Sequence, residues 1–168
     1  MKTLKNRESG GSMVHRSVWA VAAATALVLA LATAAGATAS SSTHLLKAAM
    51  STSSTVPAAK DATGASATMS AKFTVAGKKS SFTWTLTFKH LSGVPTKATI
   101  FYGKSGKVGQ VALPLCVKCQ MPSAHGAYIG SYVASPTFIQ AMLHGGAYVN
   151  VSTKKNPNGE VRGQIKLA

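Results

Sequence analysis

Two stretches of alternating side chains constrain the fold of this chain more than any other feature. Apolar residues recur at every second position through residues 69–75 and again through 82–88, with threonine, serine and lysine between them. A period of two places successive side chains on opposite faces of a β-strand. The residues between the stretches, Ala-Gly-Lys-Lys at 76–79, are typical of a turn. The pattern therefore predicts a β-hairpin with one buried face.

The polar face of the second predicted strand carries a row of three threonines, Thr83, Thr85 and Thr87. Such a row can present a flat hydroxyl surface to sugars or ordered water. The high β-propensity of threonine explains the row equally well. Both interpretations stay open at this stage.

Further short elements follow the hairpin. Ser135 and Pro136 provide a helix N-cap and a first-turn proline, an apolar stripe follows over residues 138–143, and Gly145 ends the segment. Several short strands at this spacing predict an all-β antiparallel sandwich or barrel with one short helix. The remaining strand-like segments are residues 98–102, 108–113, 147–152 and 160–167.

The N-terminal part of the chain is predicted to be an export signal and a tether. Within residues 1–39, basic residues precede an apolar run at 18–35 that ends in small residues spaced for a signal peptidase, which predicts cleavage after Ala37 or Ala39. An uncleaved run would be long enough for a membrane anchor. Residues 40–65, rich in Ser, Thr and Ala, predict a flexible linker. The β domain then spans 66–168, secreted or at the cell surface.

The charge of the chain is strongly unbalanced, with 18 Lys and Arg against 3 Asp and Glu and a formal net charge of +15. Glu8, Asp61 and Glu160 are far apart in sequence, which argues against the paired carboxylates of hydrolases. We therefore expect no enzymatic activity and no cofactor.

Lysine predominates over arginine in the β domain, which favours a diffuse attractive field over bidentate readout of bases. The expected partners are an anionic cell-surface polymer, lipid headgroups or another protein, and not nucleic acid. Apart from binding to lipid headgroups, we expect contact with a membrane only through an uncleaved leader. The competing interpretation is a charged surface that only keeps the protein soluble. The candidate anion-binding residues are Lys78, Lys79, Lys104, Lys107, Lys154 and Lys155.

The C-terminal part carries an ordered motif, Gly-Gly-Ala-Tyr-Val-Asn-Val-Ser-Thr at 145–153 followed by Asn-Pro-Asn-Gly-Glu-Val-Arg-Gly-Gln-Ile at 156–165. This run resembles the closing signature of the CHRD (chordin) domain family, and the resemblance covers residues 67–167. It implies an immunoglobulin-like β-barrel in a secreted protein, here a stand-alone member of the bacterial type. The signature residues with implied structural roles are Tyr148, Asn150, Asn156, Pro157, Gly159, Glu160, Arg162, Gly163 and Gln164.

Glu160 and Arg162 occupy alternate positions of one predicted strand, so their side chains share a face. We predict an ion pair or a hydrogen-bonded network that includes Asn150 and Gln164. A carboxylate beside an arginine has a lowered pKa and makes a poor general acid.

The sequence departs from the family at three positions. Thr99, Phe101 and Ser152 stand where the family usually carries histidines. Two histidines at i and i+2 of one strand, with a third on a neighbouring strand, would form a plausible metal cluster. We expect no metal at this place in this chain.

A second local motif is Cys116-Val117-Lys118-Cys119, which contains the only two cysteines of the chain. Export and an even cysteine count favour a disulfide that closes a small loop. Two alternatives use the same residues. One is a soft-metal site for Cu or Zn that adds Met121 and His125, and the other is thiol redox exchange.

Overall fold

The computed structural model describes residues 40–168, so the predicted leader lies outside the described residues. This part of the chain folds into nine strands, the helix α1 (Pro136–Leu143) and a 3-10 turn (Thr52–Ser54). No helix within it has the length and apolar character needed to cross a membrane. The strands are β1 (Ser42–Ser51), β2 (Ser66–Val75), β3 (Ser81–Lys89), β4 (Pro95–Tyr102), β5 (Val111–Val117), β6 (Ser123–Ile129), β7 (Ala147–Thr153), β8 (Val161–Gln164) and β9 (Lys166–Leu167).

The strands form one antiparallel sheet that curls into a nearly closed barrel. Their order is β5-β4-β7-β8-β1-β2-β3-β6, and β9 pairs with β1. Side chains bridge the two edge strands: the Tyr128 hydroxyl of β6 donates to the carbonyl oxygen of Pro114 in β5, and the Tyr132 hydroxyl donates to that of Ala112. The predicted all-β antiparallel fold with one short helix is confirmed.

The predicted hairpin and helix meet in the barrel interior. β2 and β3 pair with Phe73 opposite Phe82, and both rings are fully buried. Phe138 of α1 packs against them edge to face, with ring centroids 5.8 Å from Phe73 and 6.2 Å from Phe82. The Ser135 side chain caps the helix by accepting a 3.3 Å hydrogen bond from the backbone N–H of Phe138.

The prediction of a flexible linker over residues 40–65 is wrong. Residues 42–51 form β1, which lies in the middle of the sheet between β2 and β8. Leu46, Ala48 and Met50 point into the core, where each exposes 3% or less of its surface. Small residues such as Ala48 and Ala49 weaken this alternation, so the composition of the segment favours a linker although its period is two. The β domain therefore begins at β1 and not at residue 66.

Other strands differ from their predicted positions. The strand predicted at 108–113 is β5 at Val111–Val117, because residues 103–110 form a loop instead. The segment predicted at 160–167 divides into β8 and β9. Strand β6 was not predicted, since Ala124, Gly126 and Tyr128 form a weak apolar pattern.

Candidate functional site

Three signature side chains hold the loop at residues 103–110 against the outer face of β7 and β8. The Arg162 Nη2 donates to the carbonyl oxygens of Lys107 at 2.6 Å and Lys104 at 3.2 Å. The Gln164 amide donates to the Gly103 carbonyl at 2.8 Å, and the Tyr148 hydroxyl accepts from the backbone N–H of Gly109 at 3.1 Å. Backbone hydrogen bonds hold the ends of the loop at Gly103 and Gln110, and these side chains fix the residues between them.

Arg162 also belongs to a stack on this face. Its guanidinium carbon lies 3.5 Å from the ring centroid of Tyr148, a cation–π contact. Tyr148 stacks in turn on Phe101, its register partner on β4, with centroids 5.3 Å apart and planes 9° from parallel. Since Tyr148 and Arg162 expose only 3% of their surface each, the stack is buried under the loop.

Glu160 occupies a second buried cluster just before β8. Its side chain is fully buried and accepts hydrogen bonds from the backbone N–H of Ser92 at 2.5 Å, the Thr153 hydroxyl at 2.5 Å and the Asn156 amide at 3.2 Å. The Ser92 hydroxyl donates to the same carboxylate. Burial raises the pKa of Glu160, but these hydrogen bonds together outweigh burial and hold the pKa below its ordinary value. Glu160 is therefore an ionised anchor for the loop after β3.

Asn156 links this cluster to the segment that follows β1. Its side chain accepts from the backbone N–H of Lys60 at 2.8 Å and donates to the carbonyl oxygen of the same residue at 3.1 Å. Neighbouring Pro157 is exposed in the turn between β7 and β8. The Asn156 pair of hydrogen bonds fixes residues that composition alone assigned to a linker.

Two signature glycines sit where a side chain has no room. A Cβ on Gly163 would lie 2.1 Å from the carbonyl oxygen of Ala49, because β8 and β1 approach closely there. A Cβ on Gly159 would lie 2.2 Å from the Asn150 side chain, which donates to the Asn158 carbonyl. Gly159 also has a φ of +135°, a conformation that L side chains rarely adopt.

The predicted ion pair between Glu160 and Arg162 is wrong. Within residues 40–168 the only ion pair joins Lys155 to Asp61 at 3.5 Å. Glu160 precedes β8 and faces the loop after β3, whereas Arg162 lies within β8 and faces the loop at 103–110. The predicted single hydrogen-bonded network with Asn150 and Gln164 is wrong as well. Glu160 is bonded to Ser92, Thr153 and Asn156, whereas Arg162 is bonded to carbonyls of the loop at 103–110.

The predicted disulfide is confirmed: Cys116, near the end of β5, is bonded to Cys119. The backbone N–H groups of Lys118 and Cys119 donate to carbonyl oxygens of Thr96 and Pro95 at the start of β4.

Met121 and His125, the other two residues of the predicted soft-metal alternative, do not form a ligand set with the cysteines. Met121 is exposed, and His125 lies on β6 opposite Thr85. No group of three or more His, Cys, Asp or Glu placed to hold a metal occurs in residues 40–168.

The three positions where the family usually has histidine share the outer face of β4 and β7. Thr99 pairs with Asn150 and Phe101 pairs with Tyr148, while Ser152 is opposite Lys97. Ser152 is fully buried, and its hydroxyl has no hydrogen-bond partner within the described part of the chain. Two hydroxyls and a phenyl ring do not form the imidazole ligand set of a transition-metal site.

The six predicted anion-binding lysines do not form one site. Lys78 and Lys79 lie in the turn after β2, whereas Lys154 and Lys155 lie in the turn after β7, at the opposite end of the barrel. The second pair lines a surface groove of about 650 Å³ together with Lys118. The remaining two, Lys104 and Lys107, belong to the loop at 103–110.

The threonine row of β3 extends into a larger surface, which we call the hydroxyl–lysine face. Register pairing continues each row across β1, β2, β3 and β6, so that hydroxyls lie beside lysines on one outward face. The sequence predicted the row of β3 but not its neighbours, because pairing partners are set by the fold. The face comprises Lys47, Thr68, Ser70, Lys72, Thr83, Thr85, Thr87, Ser123 and His125.

The signature, the disulfide and the barrel define a class of protein. The model of the CHRD domain family matches residues 46–165, and the chain belongs to this family. The match begins within β1, in agreement with the place of that strand in the sheet. No curated protein and no solved structure is significantly similar to the chain.

Proposed function

We propose that this chain is an exported, non-enzymatic binding module of the cell surface, which adheres to anionic polymers or lipid headgroups through its lysine-rich exterior. CHRD domains are typically extracellular, and an intramolecular disulfide is stable in that environment. Family membership thus supports the compartment, and the argument for adhesion comes from charge.

The observation that carries the proposal is that neither acidic side chain of the described domain is free at its surface. Residues 40–168 contain fourteen Lys and Arg against Asp61 and Glu160 alone. Glu160 is buried, and Asp61 is paired with Lys155. The exposed lysines therefore have almost no competing surface carboxylate, and their field attracts a polyanion from any direction.

The arrangement of the lysines favours an extended polymer over a compact ligand. They occupy both ends of the barrel and the hydroxyl–lysine face, where β-sheet rows offer hydroxyl donors between them. A long polyanion can contact several such groups at once, which raises its avidity without a deep pocket.

The test is co-sedimentation of the full chain with an anionic polymer and with anionic vesicles at 0.1 M and 1 M salt. The screening length falls from about 10 Å to about 3 Å over this range, so we expect binding to be largely lost. A neutral polymer and neutral vesicles serve as controls. Binding that persists at high salt, or that is equal on the neutral surfaces, would contradict electrostatic adhesion.

The metal or thiol-exchange alternative requires Cys116 and Cys119 as free thiols. A thiol count on the purified protein, followed by metal analysis of the reduced form, separates the two functions. Two free thiols with bound Cu or Zn would replace the adhesion proposal. An intact disulfide with no metal would leave adhesion as the function to pursue.

A further inference from the structure

A surface trough of about 720 Å³ lies where β8, β1 and β2 adjoin. Ala49 and Gly163 line it on β1 and β8. Hydroxyl groups of Ser54 and Ser105 border it from the 3-10 turn and from the loop at 103–110. The charged residues that line the trough are all cations.

Arg162 is the most deeply buried of these cations, with 3% of its surface exposed. Both acceptors of its guanidinium are backbone carbonyls, and both are reached from Nη2. Its Nε and Nη1 donors have no acceptor within residues 40–168. Arg162 is one of the residues that line the trough.

Lys47 and Lys166 supply two more positive charges at the same place. They are register partners on β1 and β9, so their side chains emerge side by side. Like charges directly opposite on a sheet repel, and neither described carboxylate lies between them. Asp61 is paired with Lys155, and Glu160 belongs to the cluster around Ser92.

From this arrangement we propose that the trough is a binding site for a phosphate group carried by a larger molecule. Three cations that line one trough suit a doubly charged tetrahedral oxyanion better than they suit a singly charged carboxylate. The Nε and Nη1 groups of the guanidinium can each donate one charge-assisted hydrogen bond to a phosphate oxygen while Nη2 holds the loop. The trough exceeds the size of one phosphate, so the group's ester substituent has room. This site deepens the proposed function by giving the diffuse field one specific contact.

The first test is titration of the full chain with inorganic phosphate, followed by the backbone amide NMR signals. We expect saturable shifts at Ala49, Ser105 and Gly163. The variant K47Q/K166Q should weaken phosphate binding at least tenfold. The matched control K78Q/K79Q removes the same charge outside the trough and should change affinity less than twofold. Equal losses in the two variants would show a diffuse field and overturn the site.

Because Arg162 also holds the loop at 103–110, its substitution is interpreted only with a folding check. R162K keeps the charge but removes the planar guanidinium with its Nε and Nη1 donors, and we expect weaker phosphate binding in a variant whose amide spectrum stays folded. Wild-type affinity in a folded R162K would contradict the assigned geometry. Acetate that competes as well as phosphate would contradict the choice of phosphate.

Two further probes separate the site from general adhesion and identify the source of the phosphate. Polyphosphate represents a polymer, and phosphatidylglycerol vesicles represent a lipid surface. If K47Q/K166Q binds both as the wild type does, the site fails while electrostatic adhesion stands. If inorganic phosphate binds at the trough but no anionic polymer or vesicle binds, the site stands while adhesion fails. If K47Q/K166Q loses binding to only one of the two probes, that probe identifies the source of the phosphate group.

Discussion

Strands β3 and β7 belong to one sheet but differ in how their outward faces are covered. Along β3 burial alternates strictly at first, with Phe82, Trp84 and Leu86 inside and threonines outside. Along β7 nearly every residue is buried on both faces. The difference arises because the loop at 103–110 and the turn after β7 fold over the outer side of β7 and β8, whereas nothing covers β3 in the described structure.

The comparison shows what the signature residues do. Tyr148, Arg162 and Gln164 hold one loop, while Asn156 and Glu160 hold two other segments. Each polar side chain satisfies backbone groups of a loop that has no strand partner of its own. A pattern of polar residues on a sheet can therefore mark covered surface as readily as solvent-exposed surface.

The largest effect is expected from removal of the Glu160 carboxylate. E160Q places an amide among four hydrogen-bond donors, and hydrogen bonds to charged groups contribute about 1.5–3 kcal/mol each. We expect the free energy of unfolding to fall by about 3 kcal/mol or more. Chemical denaturation at neutral pH measures the loss. The matched control is D61N, which removes the same charge from an exposed site and should cost little.

The pH dependence of the same variant follows from the sign of the pKa shift. The pKa of Glu160 is lower in the folded protein than in the unfolded chain, so its contribution is complete at neutral pH. That contribution declines as pH falls below about 4.5 towards the folded-state pKa. The stability gap between wild type and E160Q should narrow across this window. A gap that stays constant down to pH 2 would contradict the ionised anchor.

A second test concerns the close approach of β8 to β1. In G163A the new methyl group would meet the Ala49 carbonyl, which is backbone and cannot rotate away. We expect a loss of about 1–3 kcal/mol, typical of overpacking, together with faster amide exchange in β8. G93A is the matched control, since a Cβ there has no neighbour within 4 Å. Equal stability of the two variants would show that β8 is free to move away from β1.

The elements of the barrel also differ in how far sequence could predict them. A period of two identified β2 and β3, and capping residues identified α1, because both signals are local. Strand β1 was not predicted, because alanine stands both on the inner face at Ala48 and on the outer face at Ala49, which weakens the alternation. The contacts of Glu160 with Ser92 and of Asn156 with Lys60 could not be predicted, because these partners are 68 and 96 residues away in sequence. No local pattern reports such contacts.

A smaller effect is expected from the covering loop itself. Y148F removes the acceptor of the Gly109 N–H while keeping the ring under Arg162, which should cost about 1 kcal/mol. Amide exchange should accelerate at residues 103–110 and remain unchanged in β3. Y128F, which removes a tyrosine hydroxyl at the β5–β6 edge, is the control for the chemical change. Unchanged exchange in the loop of Y148F would mean that Arg162 and Gln164 suffice to hold it.

The smallest effect on stability is expected on the uncovered outer face of β3. T83V/T85V keeps the β-branched shape but removes two hydroxyls. Within residues 40–168 only that of Thr83 makes a hydrogen bond, a long one of 3.4 Å to the Lys72 carbonyl. We expect thermal unfolding to show a change within about 0.5 kcal/mol per site. Adhesion to polyanions should also be retained, because the lysines of the hydroxyl–lysine face remain. A clear loss of binding without a loss of stability would instead assign the contact to the hydroxyl rows, and would place direct hydrogen bonding above the diffuse field in recognition.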